Sequence, residues 1–285
     1  MKNTVKLKPY CKKIGSGFTP RGGDSVYIES GVALIRSQNV YNSSFSTKGL
    51  AFIDNDIAQK MKGVTLEKED ILLNITGDSV ARCCKVPKSL LPARVNQHVS
   101  IIRTNKDTLN SQFLMYFLIS PQMQSTMLSL AGSGGTRKAL TKEMIENFNI
   151  PLVDYTKQEK IAEILSNYDN LININRRRIQ LLEESARLLF REWFVYFRFP
   201  GHEKVKIVDG VPEGWERKKL NRFVSFLGGF AFKRASYKEE GKYGIVTIKN
   251  VQQNNFIPKC TDYLDYAPNS MKKHCFLING DILIS

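Results

Sequence analysis

The sequence predicts an α+β chain in three parts: a mixed α/β domain, a long coiled-coil helix, and a second, incomplete domain built like the first. Three observations carry this. Residues 156–193 read TKQEKIAEILSNYDNLININRRRIQLLEESARLLFREW, without a Gly or Pro in 38 positions. On either side, short β-rich runs alternate with Gly, Asn and Asp turns. The two flanks also resemble each other. With Asn39 set on Asn250, an offset of 211, ten of the 36 positions from Asn39 to Asn74 are identical, where unrelated sequences give on the order of two.

The first domain is expected over residues 1–152. Its strands are Val32–Ile35, Ile71–Ile75 and Val99–Arg103. Ser111–Ile119 and Pro121–Leu130 read as helices with Phe113, Leu114, Phe117, Leu118, Met123 and Met127 turned to the core. AGSGGTRKALT, residues 131–141, is expected to be a flexible loop; alternatively, its amides with Arg137 and Lys138 touch a phosphate. A short strand, Phe148–Leu152, leads into the helix.

The helix, within residues 153–199, opens on a capping box of Thr156 and Glu159. Ile161, Leu165, Tyr168, Ile172, Asn175, Ile179, Leu182, Ala186, Leu189 and Trp193 recur every three or four residues and form one pairing seam. Asn175 is the polar member; in a coiled coil such a residue costs stability and fixes register. At ~1.5 Å per residue the 38 residues span roughly 57 Å, so the helix is expected to hold two things apart. The run Arg176–Arg178 is a solvated face or a docking patch.

Residues 200–215, rich in Pro, Gly and charge, are expected to be a linker. The second domain, 216–285, has strands at Ile245–Lys249 and Asp281–Ile284. Its Asn250, Val251, Phe256, Lys259, Asp265, Lys273, Leu277, Asp281, Ile282 and Leu283 match Asn39, Val40, Phe45, Lys48, Asp54, Lys62, Leu66, Asp70, Ile71 and Leu72.

Composition narrows the function classes. The basic N-terminus has no apolar core of a signal peptide, and no apolar run is long enough for a membrane span, so a cytoplasmic location is expected. The five cysteines (11, 83, 84, 260 and 275) contain no CxxC pair and read as reduced thiols, with no zinc site. The net charge of +15 points to a polyanionic partner, against the plain reading of a soluble basic surface. Residues 1–152 carry net +9, residues 153–199 net +1 and residues 200–285 net +5. Two basic lobes joined by a neutral strut suit a nucleic-acid clamp.

No catalytic centre is legible. The glycines at 132–135 lack the GxxxxGK[ST] spacing of a phosphate-binding loop. No Asn/Asp-Pro-Pro-aromatic motif of an adenine methyltransferase occurs. Glu240 and Lys242 have the ExK spacing of some nucleases without an acidic partner upstream, and His98, His202 and His274 are scattered. For DNA reading, side chains able to bond base edges bidentately are Arg21, Arg36, Gln38, Asn39, Arg82, Arg94, Asn96 and Gln97, with Lys249, Asn250 and Gln252 in the second copy. Lys48, Lys62, Lys259 and Lys273 suit phosphate. For each the alternative is a solvated loop or a turn former; Asn39 in particular caps a turn on that reading, since Asn250 recurs.

Four stretches carry a family resemblance: NIPLVDYTKQEKIAEIL entering the helix, LLFREWFVYFRFPG leaving it, VPEGWERKKL opening the second domain, and the pair EDILLN and GDILIS. Together they resemble the specificity (S) subunit of type I restriction-modification systems, over essentially the whole chain. The resemblance implies a non-catalytic DNA-binding subunit with two target recognition domains, each reading half of a bipartite double-stranded DNA site. Two long helices would pair antiparallel as a ruler and as a docking surface for methyltransferase (modification) subunits. A restriction/translocase subunit would join them. S-adenosylmethionine, ATP and Mg would sit on those partners, with no cofactor in this chain. A full-length member would reach on the order of 400 residues by the repeat length, so the chain looks like a truncated member ending inside its second recognition domain. The alternative is a half-subunit that dimerises through its helix or acts as a non-productive decoy.

Overall fold

The computed structural model describes residues 4–132, 138–151, 153–252 and 255–284. The chain divides into two compact units, Met1–Arg187 and Leu188–Ser285.

In the first unit, β1 (Thr4–Lys6) and β2 (Cys11–Ser16) are followed by β3 (Val32–Ile35), the hairpin β4 (Val40–Tyr41) and β5 (Ser44–Phe45), and β6 (Ala51–Ile53). Then come α1 (Asn55–Lys60), β7 (Ile71–Asn74), β8 (Cys83–Lys85), β9 (Ala93–Val95) and β10 (Val99–Thr104). The unit continues with α2 (Ser111–Leu118), α3 (Pro121–Gly132), α4 (Lys142–Glu146), β11 (Asn149–Pro151) and the long α5 (Tyr155–Phe190). An antiparallel sheet runs in the order β2-β10-β7-β8, and a smaller one in the order β6-β3-β9, with β3 and β9 parallel.

The central strands explain why ILLN is apolar without alternation. Ile71 and Leu73 of β7 enter a core shared with Leu114 and Leu118 of α2 and Met123 and Met127 of α3. Leu72, between them, faces a second core with Leu34 and Ile35 of β3 and Ile53 of β6. In β10, Ile102 joins the first core and Val99 and Ile101 the second. Strands covered on both faces read as continuous apolar runs.

The boundaries shift from expectation where short-range bonds decide them. Thr141, placed in a loop by the sequence, accepts from the Met144 amide (3.2 Å) and starts α4, which the sequence reading missed. Residues 133–137 of the expected loop, with Arg137, lie outside the described residues, as does Leu152 of the expected strand. The helix begins two residues earlier than its capping box implied. Asp154 accepts from the Lys157 amide at 3.4 Å and its carbonyl from Gln158 at 3.0 Å, so Thr156 is already inside α5. Gln158, 1 % exposed, roots the helix: its amide bonds the backbone of Asn110 (2.9 Å), Thr108 (3.2 Å) and Val153 (2.9 Å). Tyr116 of α2 donates to Asp169 at 2.8 Å. Only Gln158 and Ala162 of α5 are buried.

In the second unit, the π-helical turn Arg191–Val195 ends the helix, and Trp215 packs on Phe194, Phe197 and Phe199 at 5.7–5.8 Å between ring centroids. The expected linker therefore holds an ordered hairpin, β12 (Ile207–Val208) with β13 (Val211–Pro212). Farther on lie β14 (Tyr243–Gly244), β15 (Val251–Gln252), β16 (Asn255–Phe256) and β17 (Tyr263–Leu264). Of the expected strands, Ile245–Lys249 gives way to the shorter β14, and Asp281–Ile284 is in no ladder among the described residues, with Ile282 84 % exposed. In the first unit the equivalent β7 pairs with β8 and β10, whose positions at an offset of 211 fall beyond residue 285.

The repeat persists at the level of single hydrogen bonds. Asn39 accepts from Arg36 N (3.1 Å) and donates to the carbonyls of Ser46 (2.9 Å) and Lys48 (3.4 Å). Asn250 accepts from Thr247 N (2.9 Å) and donates to those of Ile257 (2.9 Å) and Lys259 (3.2 Å), each 211 residues on. The hairpins these residues clasp share their register, Val40 opposite Phe45 and Val251 opposite Phe256. Asp70 accepts from Glu67 N at 2.7 Å, and Asp281 from Ile278 N at 2.9 Å.

Asn39 is fully buried. Asn39→Ala strands two carbonyls and an amide and should cost the first unit about 2 kcal/mol in urea unfolding. Asn39→Asp should cost more at neutral pH, because a carboxylate would face the Ser46 and Lys48 carbonyls. An Asp variant as stable as the Ala variant would contradict the clasp.

Candidate nucleic-acid interface

The two sheets gather several strand ends at one end of the first unit. Ser16 at the end of β2 lies opposite Ser100, and Asn74 at the end of β7 opposite Val99. Asn96, after β9, joins the sheets: its amide donates to Ile35 O (3.1 Å), its carbonyl accepts from Gly17 N (3.2 Å) and its Oδ1 from His98 N (3.1 Å). Gly17 has to be glycine here, since a Cβ would stand 1.7 Å from the Val95 carbonyl oxygen. Asn74 Nδ2 donates to Ser37 O (2.8 Å), which brings the turn after β3 alongside.

Most sequence-predicted residues of the first copy lie on this end, in two different conditions. Arg21, Gln38, Lys48 and Gln97 are exposed, and Arg82 is half-buried with its guanidinium 4.9 Å from the Tyr41 ring centroid. Lys138 is exposed beside them, its carbonyl accepting from Gly77 N at 3.1 Å. Arg36 is half-engaged: it lies over Tyr27 (5.2 Å), 3.7 Å from Asp24, and donates to Gly49 O at 2.7 Å. Gln38 donates to the same carbonyl at 3.0 Å, and Gly49 carries it on a positive φ of 65°.

The other residues are placed differently. Asn39 and Asn96 are buried with their side chains bonded to main chain. Arg94, 7 % exposed, donates to the Ala58 and Ala93 carbonyls at 3.1 Å, and burial lowers its pKa below the ordinary arginine value. Lys62 is exposed at the opposite end of the sheet, where Lys13 bonds the Gly63 carbonyl at the start of β2. In the second unit Asn250 is buried, whereas Lys249, Gln252 and Lys259 are exposed, Lys259 at the position equivalent to Lys48; Lys273 stands in the turn equivalent to that of Lys62. The seam residues Ile161, Leu165, Tyr168, Ile172, Asn175, Ile179, Leu182, Ala186 and Leu189 are exposed and Trp193 is half-buried.

Sequence reasoning missed the polar chain beside Gln97. His98 Nδ1 lies 2.6 Å from Thr76 Oγ1, His98 Nε2 lies 3.0 Å from Gln97 Nε2, and Thr19 donates to Gln97 Oε1. Only the adjacency of Gln97 and His98 was visible; Thr19 and Thr76 arrive through the pairing of β2, β7 and β10.

Among the described residues no three His, Cys, Asp or Glu side chains converge as a metal site. All five cysteines are unpaired, and burial pushes the thiols of Cys11 and Cys84 up to about 12, so they stay protonated at neutral pH. The arrangement offers cationic and amide side chains on a rigid edge, suited to phosphates and base edges.

Residues 4–184 match a family model described as the type I restriction modification DNA specificity domain. The type I restriction enzyme MjaVIII specificity subunit of Methanocaldococcus jannaschii is 27% identical over 233 residues, 79% of this chain and 51% of that protein. The MjaIX specificity subunit of the same organism is 30% identical over 151 residues, 51% of this chain and 35% of its own. The EcoKI specificity subunit of Escherichia coli is 23% identical over 256 residues, 88% and 54% of the two chains. The chain thus spans about half, or less, of the length of these relatives. A solved structure of a type I restriction-modification S subunit from M. genitalium aligns with a TM-score of 0.49 at 16% identity, covering 90% of this chain and 62% of that one.

Two of the candidate arginines separate in a stability measurement. Arg94→Ala removes hydrogen bonds from two carbonyls and should lower the first unit's stability by about 1–3 kcal/mol. Arg21→Ala, on an exposed turn, should stay within about 0.5 kcal/mol of the parent. Equal urea midpoints for the two variants would show that Arg94 is no more structural than Arg21.

Proposed function

We propose, from the premise that this chain belongs to the type I restriction modification DNA specificity family, that it is a DNA-recognition subunit working in the cytoplasm. It binds double-stranded DNA without catalysing a reaction. It positions methyltransferase and restriction subunits, which hold S-adenosylmethionine, ATP and Mg, over a bipartite site. Residues 1–152 read one half-site, residues 153–199 form the spacer helix, residues 200–215 connect, and residues 216–285 belong to the second recognition domain. The observation that supports this best is the gathering of Arg21, Gln38, Lys48, Arg82, Gln97 and Lys138 on one end of the first unit, with the net +9 of residues 1–152. The base-reading set narrows accordingly. Asn39, Arg94, Asn96 and Asn250 hold the fold, and Lys62 and Lys273 are left to contacts with the backbone of the DNA.

Electrostatic binding of this kind releases counterions. With about six phosphates engaged, affinity should fall roughly a thousandfold between 50 and 200 mM salt. Lys48→Ala and Lys138→Ala should each reduce the slope of log affinity against log salt by about one. Fluorescence anisotropy with a duplex checks both; an affinity indifferent to salt overturns the proposal.

A second reading, self-association through the helix, is favoured by the seam itself: Tyr168 is 64 % exposed, Ile179 57 % and Leu182 69 %. Two antiparallel copies would cover both seams. The chain should sediment as a dimer at micromolar concentration, and replacing Leu182 and Leu189 together by Asp should return it to monomer. A parent that sediments as a monomer at that concentration refutes this reading.

A further inference from the structure

We propose that Gln97 reads an adenine in the half-site of the first domain, and that His98, held by Thr76, is the positioning residue that sets which way the Gln97 amide faces. This rests on the DNA-recognition function proposed above and names a residue and a base class within it.

The two ring nitrogens of His98 are both engaged, one with Thr76 Oγ1 at 2.6 Å and the other with Gln97 Nε2 at 3.0 Å. An amide nitrogen can only donate, so His98 Nε2 accepts and the proton of a neutral imidazole sits on Nδ1, where it is donated to Thr76. The other end of the amide is held as well, because Gln97 Oε1 accepts from the Thr19 hydroxyl. Thr76 and His98 are brought face to face by the sheet, the Ile75 amide donating to His98 O at 3.0 Å and Asn74 lying opposite Val99.

What remains free is the outer edge of the amide. One N–H on Nε2 and one lone pair on Oε1 have no partner in this chain of bonds, and the Gln97 side chain is exposed. A donor beside an acceptor is the complement of adenine N6–H and N7 in the major groove. A freely turning amide meets that edge in either sense. Here the amide can turn over only if the His98 proton moves from Nδ1 to Nε2 and the Thr19 and Thr76 hydroxyls reorient with it. The coupling leaves one presented order of donor and acceptor, which ties adenine recognition to one orientation of the duplex.

The test is selection of the full chain against a pool of randomised duplexes at low salt, followed by sequencing. The parent should enrich a motif containing an adenine column. Gln97→Ala should reduce the preference in that column by between about five- and a hundredfold and leave the other columns in place. His98→Ala and Thr76→Val should weaken the same column, the double variant Q97A/H98A should be no weaker there than Q97A, and His98→Gln should restore part of the preference. Such non-additivity confined to one column is not expected of residues that merely support the fold. An unchanged motif for Gln97→Ala, or loss spread equally over all columns in His98→Ala and Thr76→Val, overturns the inference while leaving the DNA-recognition function standing. A parent that enriches no motif overturns both.

Discussion

The first unit depends on β7 and β10 being covered on both faces. Leu72 and Ile101 turn to one core while Ile71, Leu73 and Ile102 turn to the other. All of these side chains are completely buried. A one-residue slip in the pairing would exchange the two sets, so register is specified from both sides at once. Strand ends follow from register. Because Ser16, Asn74 and Val99 finish or start their strands at the same level, the turns after β2 and β7 and the turn before β10 share one edge. A candidate DNA-reading edge at that place is a consequence of core packing.

Buried polar side chains then shape the turns that the core leaves undefined. Asp70, fully buried, accepts from Glu67 N and takes two 2.8 Å bonds from Arg103, an ion pair satisfied on both carboxylate oxygens. Asn39 does the same without charge. The Asn39 clasp recurs on Asn250, and of the Asp70 bonds the one from the amide three residues earlier recurs on Asp281, although the strands around Asp281 do not form a ladder among the described residues. A turn held by side-chain to main-chain bonds over three to nine residues needs little from the sheet. That locality explains why the second unit keeps the hairpin of β15 with β16, and why the pair of β14 with β17 keeps the register of β3 with β6, at the same 211-residue offset.

What was legible in the sequence follows from the range of the forces involved. The helix and the repeat were visible because apolar periodicity and identity at a constant offset are properties of the chain alone. Val32–Ile35 emerged with the expected ends because its neighbours are turn residues. Asn39, Arg94 and Asn96 were read as candidates by residue type. Whether such a side chain meets a base or a carbonyl depends on partners such as Ser46 and Ala58, which only the fold supplies. The Thr19–Gln97–His98–Thr76 chain was out of reach for the same reason. It joins residues from three separate turns, and no spacing rule links 19, 76 and 97.

The helix shows the opposite case, where the sequence pattern was real but narrower than the surface. The pairing seam was read as one line through Ile161, Leu165, Tyr168 and Ile172. In α5, Ile164 and Leu171 are also exposed at 57 and 53 %, and beyond them Ile174 and Leu181 at 51 and 44 %. At ~100° per residue, the first pair sits about 60° to one side of Ile161 and Tyr168, and the second pair about 100° to the same side of Asn175 and Leu182. The apolar arc therefore widens from roughly 100° before Ile174 to roughly 140° from it onward. A two-helix coiled coil is covered by the narrow a/d seam, whereas an arc of this width belongs to a helix packed on a broader surface. The near half of α5 is rooted on its own domain by Gln158 and Tyr116, so a narrow stripe is all it has free. Among the described residues the far half, as far as Arg187, has no such neighbour within the first unit, and its wider stripe calls for more contact than one seam of a second helix provides.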